Sequence, residues 1–291
     1  MVGGGRSRLV IVLATTNDQP SPNSVRSISS RQNPLVRTFR ELAGDPDPTG
    51  ERILLDGIHL VQEAHSSGAL FEVVVVAASR LREVTEEGEL ARALERDAID
   101  VVAADDKVFA ALSPVKTPSG VAAIARRKVT APPIICGHPN AFVIAAVDVQ
   151  DPGNVGSLLR AAEAGGATGA FVCGTSANPF SWKALRGSMG SAMRLPVVPG
   201  MTVDAVMNCM ADAGLRIVAA VPRGGEHPDE IDWRGPVGLL VGGEGPGLGD
   251  EIVARADARV TIPMATTVES LNVAAAGAVL VYAARRQRVS P

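Results

Sequence analysis

Aromatic side chains are scarce in this chain. Two Trp, one Tyr and six Phe make up only 3% of its 291 residues. A platform that stacks single-stranded bases depends on aromatic faces, so this kind of surface is disfavoured. Ala, Val, Leu and Gly dominate instead, and 46% of the residues are hydrophobic. Small side chains let helices approach a sheet closely, which favours layered α/β packing.

Metal ligands and disulfide partners are also few. The three cysteines, Cys136, Cys173 and Cys209, lie far apart without a CxxC pair, and the four histidines form no HExxH motif. This pattern argues against a disulfide framework and predicts no metal site. A reducing compartment is then the default, so we expect a cytoplasmic protein.

Long apolar segments are absent too. No apolar run reaches the ~18 residues of a transmembrane helix, so no membrane association is expected. The longest candidate, Val273 to Ala284, is rich in Ala and Gly and predicts a buried helix. Leu9 to Ala14 follows two Arg but is too short for a signal peptide and lacks a cleavage pattern. We therefore expect residues 1–25 to form an irregular N-terminal arm.

The motifs of dinucleotide-binding enzymes and serine hydrolases do not occur. The loop from Asp151 to Gly156 does not fit GxGxxG, and no GxxxxGK is followed by Ser or Thr. Gly174 to Asn178 only approaches GxSxG and has no credible histidine partner. Dehydrogenase and hydrolase functions are therefore disfavoured.

The chain does contain a glycine-rich loop with an acid in its middle. Residues 242–248 read GGEGPGL, and the acid is Glu244. Loops that cradle phosphate offer amide groups and a helix N-terminus, where a carboxylate would repel the anion. The ligand expected at this loop is therefore uncharged or cationic.

Positive charge is concentrated at the two ends of the chain. The net charge is −3, yet six Arg and one Asp give +5 through residue 40. Arg285, Arg286 and Arg288 make the other end basic. The first cluster either contacts RNA or is simply solvated, and the second is typical of dipole complementation at a helix end.

Strand and helix patterns alternate along the chain, which predicts two α/β domains. We expect a smaller domain over residues 26–126 and a larger one over residues 140–291. Residues 127–139, rich in proline and charge, are expected to link them. In the smaller domain a single charged helix is predicted over residues 81–96.

The larger domain is predicted to hold a mostly parallel sheet with helices on both faces, because its strands are nearly continuous apolar runs. Ligands of such sheets bind at the carboxyl ends of strands. The loops after predicted strands 141–147, 237–241 and 258–263 are therefore expected to meet in one pocket. A final helix is predicted over residues 270–286.

Four motifs in order resemble the SpoU-type (TrmH-like) RNA 2′-O-ribose methyltransferases of the SPOUT superfamily. Residues 148–161, DVQDPGNVGSLLRA, are similar to the first motif, and the glycine-rich loop to the second. Residues 262–264, IPM, with 270–273, SLNV, are similar to the third, and a further match is KALRGSMG at 183–190.

The N-terminal part resembles that family's small substrate-binding domain, which is similar to a ribosomal protein. The similarity lies in NPLVR at residues 33–37, Asp56-Gly57, and TPSGV at 117–121. The family usually has Glu-Gly where this chain has Asp56-Gly57. The resemblance covers about residues 26–288.

The resemblance implies a trefoil knot in the C-terminal domain, S-adenosyl-L-methionine as cofactor, RNA as partner, and a homodimer. By motif position, Gly242, Ile262 and Leu271 are expected to hold the cofactor, largely through backbone groups. This cofactor carries a sulfonium and an amino group but no phosphate, so Glu244 need not repel it.

The catalytic candidates are Asn154, Arg160, Glu244, Ser270 and Asn272. Arg160 is the family's candidate base, although a guanidinium normally stays protonated. The site either deprotonates it or uses it only to orient hydroxyl and phosphate. Asn154 either caps its helix or positions substrate. Likewise, Ser270 and Asn272 either cap the last helix or position substrate. For Glu244 the alternative is a loop-organising role.

The RNA-binding candidates are Arg31, Asn33, Arg37, Arg186 and Ser188. Arg186 and Ser188 are expected to contact RNA or the active-site rim, and the alternative for both is packing. We predict methyl transfer to a ribose 2′-hydroxyl of RNA, with ribosomal RNA as the expected substrate. The same chemistry on transfer RNA and a catalytically silent RNA-binding or ribosome assembly factor remain the alternatives.

Overall fold

The computed structural model describes residues 25–82, 84–245, 247–265 and 268–289. The predicted irregular arm lies outside this part of the chain, apart from Val25. Within the described ranges, no helix is both long enough and apolar enough to cross a membrane.

The first part of the chain folds around a mixed five-stranded sheet. Its elements are β1 (Arg26–Ile28), α1 (Pro34–Gly44), β2 (Arg52–Asp56), α2 (Ile58–Ser66), β3 (Leu70–Ala77), α3 (Ala78–Arg82), α4 (Glu86–Arg96), β4 (Val101–Ala104), α5 (Asp106–Leu112) and β5 (Val121–Arg126). The strand order is β1-β4-β3-β5-β2. Strands β1, β4 and β3 run parallel, and β5 runs antiparallel to both β3 and β2.

Local chemistry explains where these helices begin. In α1, Val36, Phe39 and Leu42 recur at helical spacing and are buried. Asn33 caps this helix, because its side chain accepts a hydrogen bond from the Leu35 amide. The single helix predicted over residues 81–96 is wrong. A new helix, α4, begins after Thr85, whose hydroxyl accepts from the Gly88 amide.

The second part folds around an all-parallel six-stranded sheet. Its elements are α6 (Pro132–Cys136), β6 (Phe142–Val147), α7 (Pro152–Ala164), β7 (Gly169–Cys173), α8 (Trp182–Ser188), α9 (Ser191–Arg194), β8 (Val197–Pro199), α10 (Val203–Asp212), β9 (Arg216–Ala220), β10 (Val237–Gly242), α11 (Asp250–Ala254), β11 (Ala258–Val260) and α12 (Val273–Arg288). The strand order is β11-β9-β10-β6-β7-β8. All five strand pairs are parallel, as the sequence predicts.

The strand order places a switch point between β6 and β10. After β6 the chain adds β7 and β8 on one side, and the later strands occupy the other side. In open parallel sheets the crevice at such a point is where ligands bind. The loops after β6 and β10 therefore emerge side by side at the carboxyl edge.

Two features of this half differ from expectation. The predicted linker contains α6, in which Ile135 and Cys136 are buried. The last predicted strand ends at Val260 rather than Pro263, and α12 begins at Val273 rather than Ser270. The shorter elements leave a longer loop between β11 and α12, and this loop contributes to the site described below.

The two parts of the chain share one continuous apolar core. One buried cluster contains Ile53 and Leu55 of the first sheet together with Phe142 and Ile144 of the second. Asn178 Nδ2 donates a hydrogen bond to the Asp47 carbonyl at 2.8 Å across the junction. A division into domains at residues 127–139 stays a prediction, because this apolar cluster is continuous.

Candidate active site

A chain of hydrogen bonds joins the three loops at the carboxyl edge of the second sheet. Asn154 follows β6, Glu244 follows β10, and Asn272 follows β11. The Asn154 side chain donates from Nδ2 to Glu244 Oε1, and Asn272 Nδ2 donates to Asn154 Oδ1 at 2.9 Å. The predicted convergence of these loops is therefore confirmed.

Asn154 does not cap its helix. The cap of α7 is Asp151, whose Oδ1 accepts from the Asn154 amide at 2.8 Å, with Pro152 at the first helical position. Proline is favoured at that position because its missing N–H would have no helical partner. The Asn154 side chain is left to hold Glu244 and Asn272, which removes the capping interpretation.

Asn272 caps its helix and also joins the chain of hydrogen bonds, and its positioning of substrate stays a prediction. Its Oδ1 accepts from the amides of Ala274 and Ala275 at 2.9 and 3.3 Å and so caps α12. The amide nitrogen of the same side chain contacts Asn154. Ser270 lies two residues before this cap and is exposed.

A cavity of about 370 Å³ opens beside this chain of hydrogen bonds. Gly242, Ile262 and Leu271, the three predicted cofactor-binding residues, all line it. The remaining lining residues are Ala220, Val221, Pro222, Val241, Gly243, Glu244, Gly245, Gly247, Val260, Met264, Glu269, Ser270, Asn272, Val273, Ala276 and Leu280. The cavity is thus mainly apolar, with a few polar groups that can orient a ligand.

Two groups of lining residues escaped the sequence analysis. Glu269 adds a second carboxylate to the cavity that Glu244 lines. Its position next to the candidate residue Ser270 was the sequence feature that could have identified it. Ala220 ends β9, and Val221 and Pro222 follow it; β9 is a fourth strand whose carboxyl end reaches the same edge. The two carboxylates make the polar part of the cavity acidic, which suits a cationic ligand.

Arg160 does not line the cavity. It is exposed on α7, six residues beyond Asn154, which is about 9 Å along the helix axis. Within the described residues Arg160 makes no hydrogen bond or ion pair. Its guanidinium is therefore available to a molecule that approaches α7 from solvent.

Arg186 and Ser188 occupy different environments at the end of α8. The Arg186 side chain is 49% exposed, and its Nη1 lies 4.0 Å from Asp56 Oδ1. Ser188 is fully buried, and its hydroxyl donates to the Leu185 carbonyl at 2.9 Å. The prediction that Ser188 contacts RNA is therefore wrong, and the packing alternative applies.

The other RNA-binding candidates lie on the first sheet's side of the molecule. Arg31 is exposed and donates from Nε to the Lys107 carbonyl at 3.3 Å. Arg37 is exposed and forms an ion pair of 3.5 Å with Glu41 in the next turn of α1. Asn33 uses its side-chain oxygen for the helix cap. Contact of these three residues with RNA stays a prediction.

The fold and the cavity place the protein among α/β proteins that bind a ligand at the carboxyl edge of a parallel sheet. Residues 141–282 match the SpoU rRNA Methylase family, and residues 48–123 match the MRM3-like substrate binding domain. The second match falls in the part predicted to bind RNA.

Two relatives match this chain over nearly their whole length. The chain is 32% identical over 273 residues to an uncharacterized tRNA/rRNA methyltransferase of Synechocystis, covering 92% of this chain and 97% of the relative. It is 30% identical over 266 residues to the 23S rRNA (guanosine(2553)-2′-O)-methyltransferase RlmP of Bacillus subtilis, covering 89% and 98%.

A solved structure agrees with the same assignment. The AdoMet-bound rRNA methyltransferase from Sinorhizobium meliloti aligns with a TM-score of 0.80 at 27% identity, covering 91% of this chain and 99% of that one. The chain belongs to the SpoU rRNA methylase family, an RNA methyltransferase family.

Proposed function

We propose that this protein transfers a methyl group from S-adenosyl-L-methionine to a ribose 2′-hydroxyl of ribosomal RNA. The observation that carries the proposal is the Asn154–Glu244–Asn272 chain at a cavity lined by Gly242 and Leu271. Family membership supports the reaction, and the activity for which the Bacillus subtilis relative is named supports ribose and ribosomal RNA as the target.

The cavity suits the chemistry of this cofactor. Val241, Val260 and Leu280 give an apolar wall for an adenosine, and Glu244 and Glu269 give acidic groups for a sulfonium and an ammonium. Phosphate-binding features would be out of place here, since the acids would repel an anion. When bound, the cofactor supplies an electrophilic methyl group on sulfur.

The protein's own contribution is mainly positioning. Alignment of two reactants can lower a barrier by up to roughly 7–11 kcal/mol. Asn154 is held at both ends of its amide, so its side chain is fixed at the mouth of the cavity. We assign Asn154 and Asn272 to orienting the ribose, with Glu244 holding Asn154 in place.

Arg160 contacts the RNA in this proposal. A guanidinium presents five N–H donors in a planar fork, which matches a phosphate beside the reacting hydroxyl. Its exposure on α7 supports this role, because the side chain is not committed to another group of the described chain. Ser270 is exposed and lines the cavity, and we assign it to contact the reacting ribose hydroxyl.

The assembly and location are proposed as the family resemblance implies. We propose a homodimer, a trefoil knot in the C-terminal domain and a cytoplasmic location. Val279 and Tyr282 support the dimer, because they are 44% and 49% exposed at i, i+3 positions of α12. Light scattering that gives the mass of a monomer would refute it.

The test is transfer of a labelled methyl group to separated ribosomal and transfer RNA fractions. We expect label in ribosomal RNA, at a nucleotide that resists alkaline cleavage on its 3′ side. The Arg160→Ala variant should bind the cofactor normally and transfer roughly 100-fold more slowly, because the RNA is then less well aligned. Arg92→Ala is the matched control, since Arg92 is an exposed helical arginine of the first domain.

Label in transfer RNA alone would refute the ribosomal target. Cofactor binding without label in either fraction would refute the enzyme and favour an assembly factor. Equal rates for the Arg160→Ala and Arg92→Ala variants would remove Arg160 from the reaction.

A further inference from the structure

A second cavity lies where the first part of the chain meets the end of α8. Its volume is about 130 Å³, many times the roughly 10–15 Å³ that one water molecule needs. The residues that line it are Asp56, Gly57, His59, Leu60, Thr117, Ser119, Arg186 and Met189. None of them lines the cavity assigned to the cofactor.

A buried carboxylate forms the floor of this second cavity. The Asp56 side chain is only 2% exposed. Its Oδ2 accepts a hydrogen bond of 2.7 Å from Ser113 Oγ, whereas Oδ1 lies 4.0 Å from Arg186 Nη1, beyond hydrogen-bond distance. Within the described chain Oδ1 has no hydrogen-bond donor. Burial of a charge without donors is costly, so this oxygen is suited to accept from a ligand.

Flat and apolar side chains surround the carboxylate. The His59 ring is exposed, the Arg186 guanidinium is half-exposed, and Met189 is 41% exposed. Unpaired RNA bases are commonly stacked on His rings or Arg guanidinium planes while their edges are read by hydrogen bonds. The hydroxyls of Thr117 and Ser119 line the same space and can act as further edge readers.

The second cavity is close to the proposed site of methyl transfer. Helix α8 packs on the first turns of α7: a Cβ added to Gly156 would lie 2.3 Å from the Ala184 carbonyl oxygen. A Cβ added to Gly187 would lie 3.2 Å from the Gly153 carbonyl oxygen. Only the end of α8 therefore separates Arg186 from the turn of α7 that carries Asn154. RNA bound across this turn reaches both cavities.

We propose that the second cavity binds one unpaired nucleobase of the substrate RNA, and that the base carries an exocyclic amino group. In this arrangement the amino group of adenine, cytosine or guanine donates to Asp56 Oδ1, and the ring stacks on His59 or Arg186. Uracil has no exocyclic amino group. It is disfavoured, because its one ring donor, N3–H, lies between two carbonyl oxygens that the carboxylate would repel. The inference rests on the proposed function only in taking RNA as the substrate.

The test measures binding of the four nucleoside 5′-monophosphates and of ribose 5-phosphate to the full-length protein by ligand-observed nuclear magnetic resonance. Saturating S-adenosylhomocysteine is present throughout, so that adenine cannot report on the first cavity. At least one of AMP, CMP and GMP should bind roughly tenfold more tightly than UMP, as expected for a hydrogen bond to a charged group.

Asp56→Asn is the discriminating variant. Its single side-chain oxygen can accept from Ser113, which leaves the amide nitrogen facing the cavity as a donor. The variant should lose the preference for amino-bearing bases and gain affinity for UMP. Asp212→Asn, an exposed carboxylate at the end of α10, is the matched control and should change nothing. Arg186→Leu should weaken the binding of all four nucleoside monophosphates. Melting curves verify that each variant is folded.

Equal binding of UMP, equal binding of ribose 5-phosphate, or no binding of any nucleotide would each overturn the assignment. An unchanged preference in a folded Asp56→Asn variant would do the same. The assay involves no methyl transfer, so its failure is separate from failure of the proposed enzyme. If RNA is methylated but no nucleotide binds, the assignment of the base site is refuted and the proposed enzyme activity stands.

Discussion

Asn272 offers a way to separate helix capping from the proposed catalytic role. The same side chain accepts from the Ala274 and Ala275 amides and donates to Asn154 Oδ1. Alanine removes both functions, whereas aspartate keeps the cap and removes the donor. Asp and Asn are comparable N-cap residues, and a negative charge is favourable at a helix N-terminus.

The magnitudes follow from these contacts. Loss of the cap costs about 1 kcal/mol, and loss of the hydrogen bond to Asn154 costs about 1 kcal/mol more. For a domain of this size, about 2 kcal/mol lowers the melting temperature by about 4–8 °C. Asn272→Ala should show this loss. Asn272→Asp should melt closer to the parent protein, because its cap is intact.

Activity, unlike stability, should fall in both variants. An aspartate at position 272 cannot donate to Asn154 and places a second charge near Glu244. Since a displacement of about 1 Å can cost about 100-fold in rate, we expect a loss of this order in both variants. Melting curves and single-turnover methyl transfer are the two measurements.

The matched control for this experiment is Thr202→Ala. Thr202 caps α10, with its hydroxyl accepting from the Ala205 amide at 3.2 Å. This variant should lose stability and keep its transfer rate. A fully active Asn272→Asp protein would contradict the reasoning and reduce Asn272 to a helix cap.

Three further predictions address RNA binding, thiol reactivity and pH. Replacing Arg31 and Arg37 with glutamate should weaken RNA binding and reduce its salt dependence, as measured by filter binding in a salt series. Unchanged binding would mean that these side chains are merely solvated. Burial raises the pKa of the Cys136 and Cys173 thiols to about 12, so these two thiols of the native protein should react slowly with iodoacetamide near pH 8. Rapid labelling seen by mass spectrometry would contradict their burial. Burial also raises the pKa of Asp56 from its ordinary 3.8, so its stabilising contribution is present below that value and is lost as pH rises through the folded pKa. Asp56→Asn should therefore raise the melting temperature near pH 7 more than near pH 4, and a uniform shift would count against this.

Much of the fold was predictable because its signals are local. The predicted strands 141–147 and 237–241 agree within one residue with β6 and β10. Each is a nearly continuous apolar run of strand length. The meeting of three loops was also predictable, since the carboxyl ends of parallel strands share one edge.

What the sequence missed depends on competition between neighbouring residues. Asp151 and Asn154 are both capping residue types, and Pro152 between them decides in favour of Asp151. Thr85 interrupts a charged segment that otherwise reads as one helix, because its hydroxyl starts α4. The burial of Ser188 could not be seen, since it results from packing between helices rather than from a local pattern.

In the glycine-rich loop, the glycines and the acid carry different information. An added Cβ at Gly243 would lie 2.0 Å from the Asp148 carbonyl oxygen, so the loops after β6 and β10 touch backbone to backbone. An added Cβ at Gly242 would lie 2.4 Å from the carbonyl carbon of Gly247, within the same loop. These two glycines are therefore required by packing before any ligand binds. Their presence alone could not distinguish a phosphate from a sulfonium ligand. Glu244, which the packing does not require, carries that information.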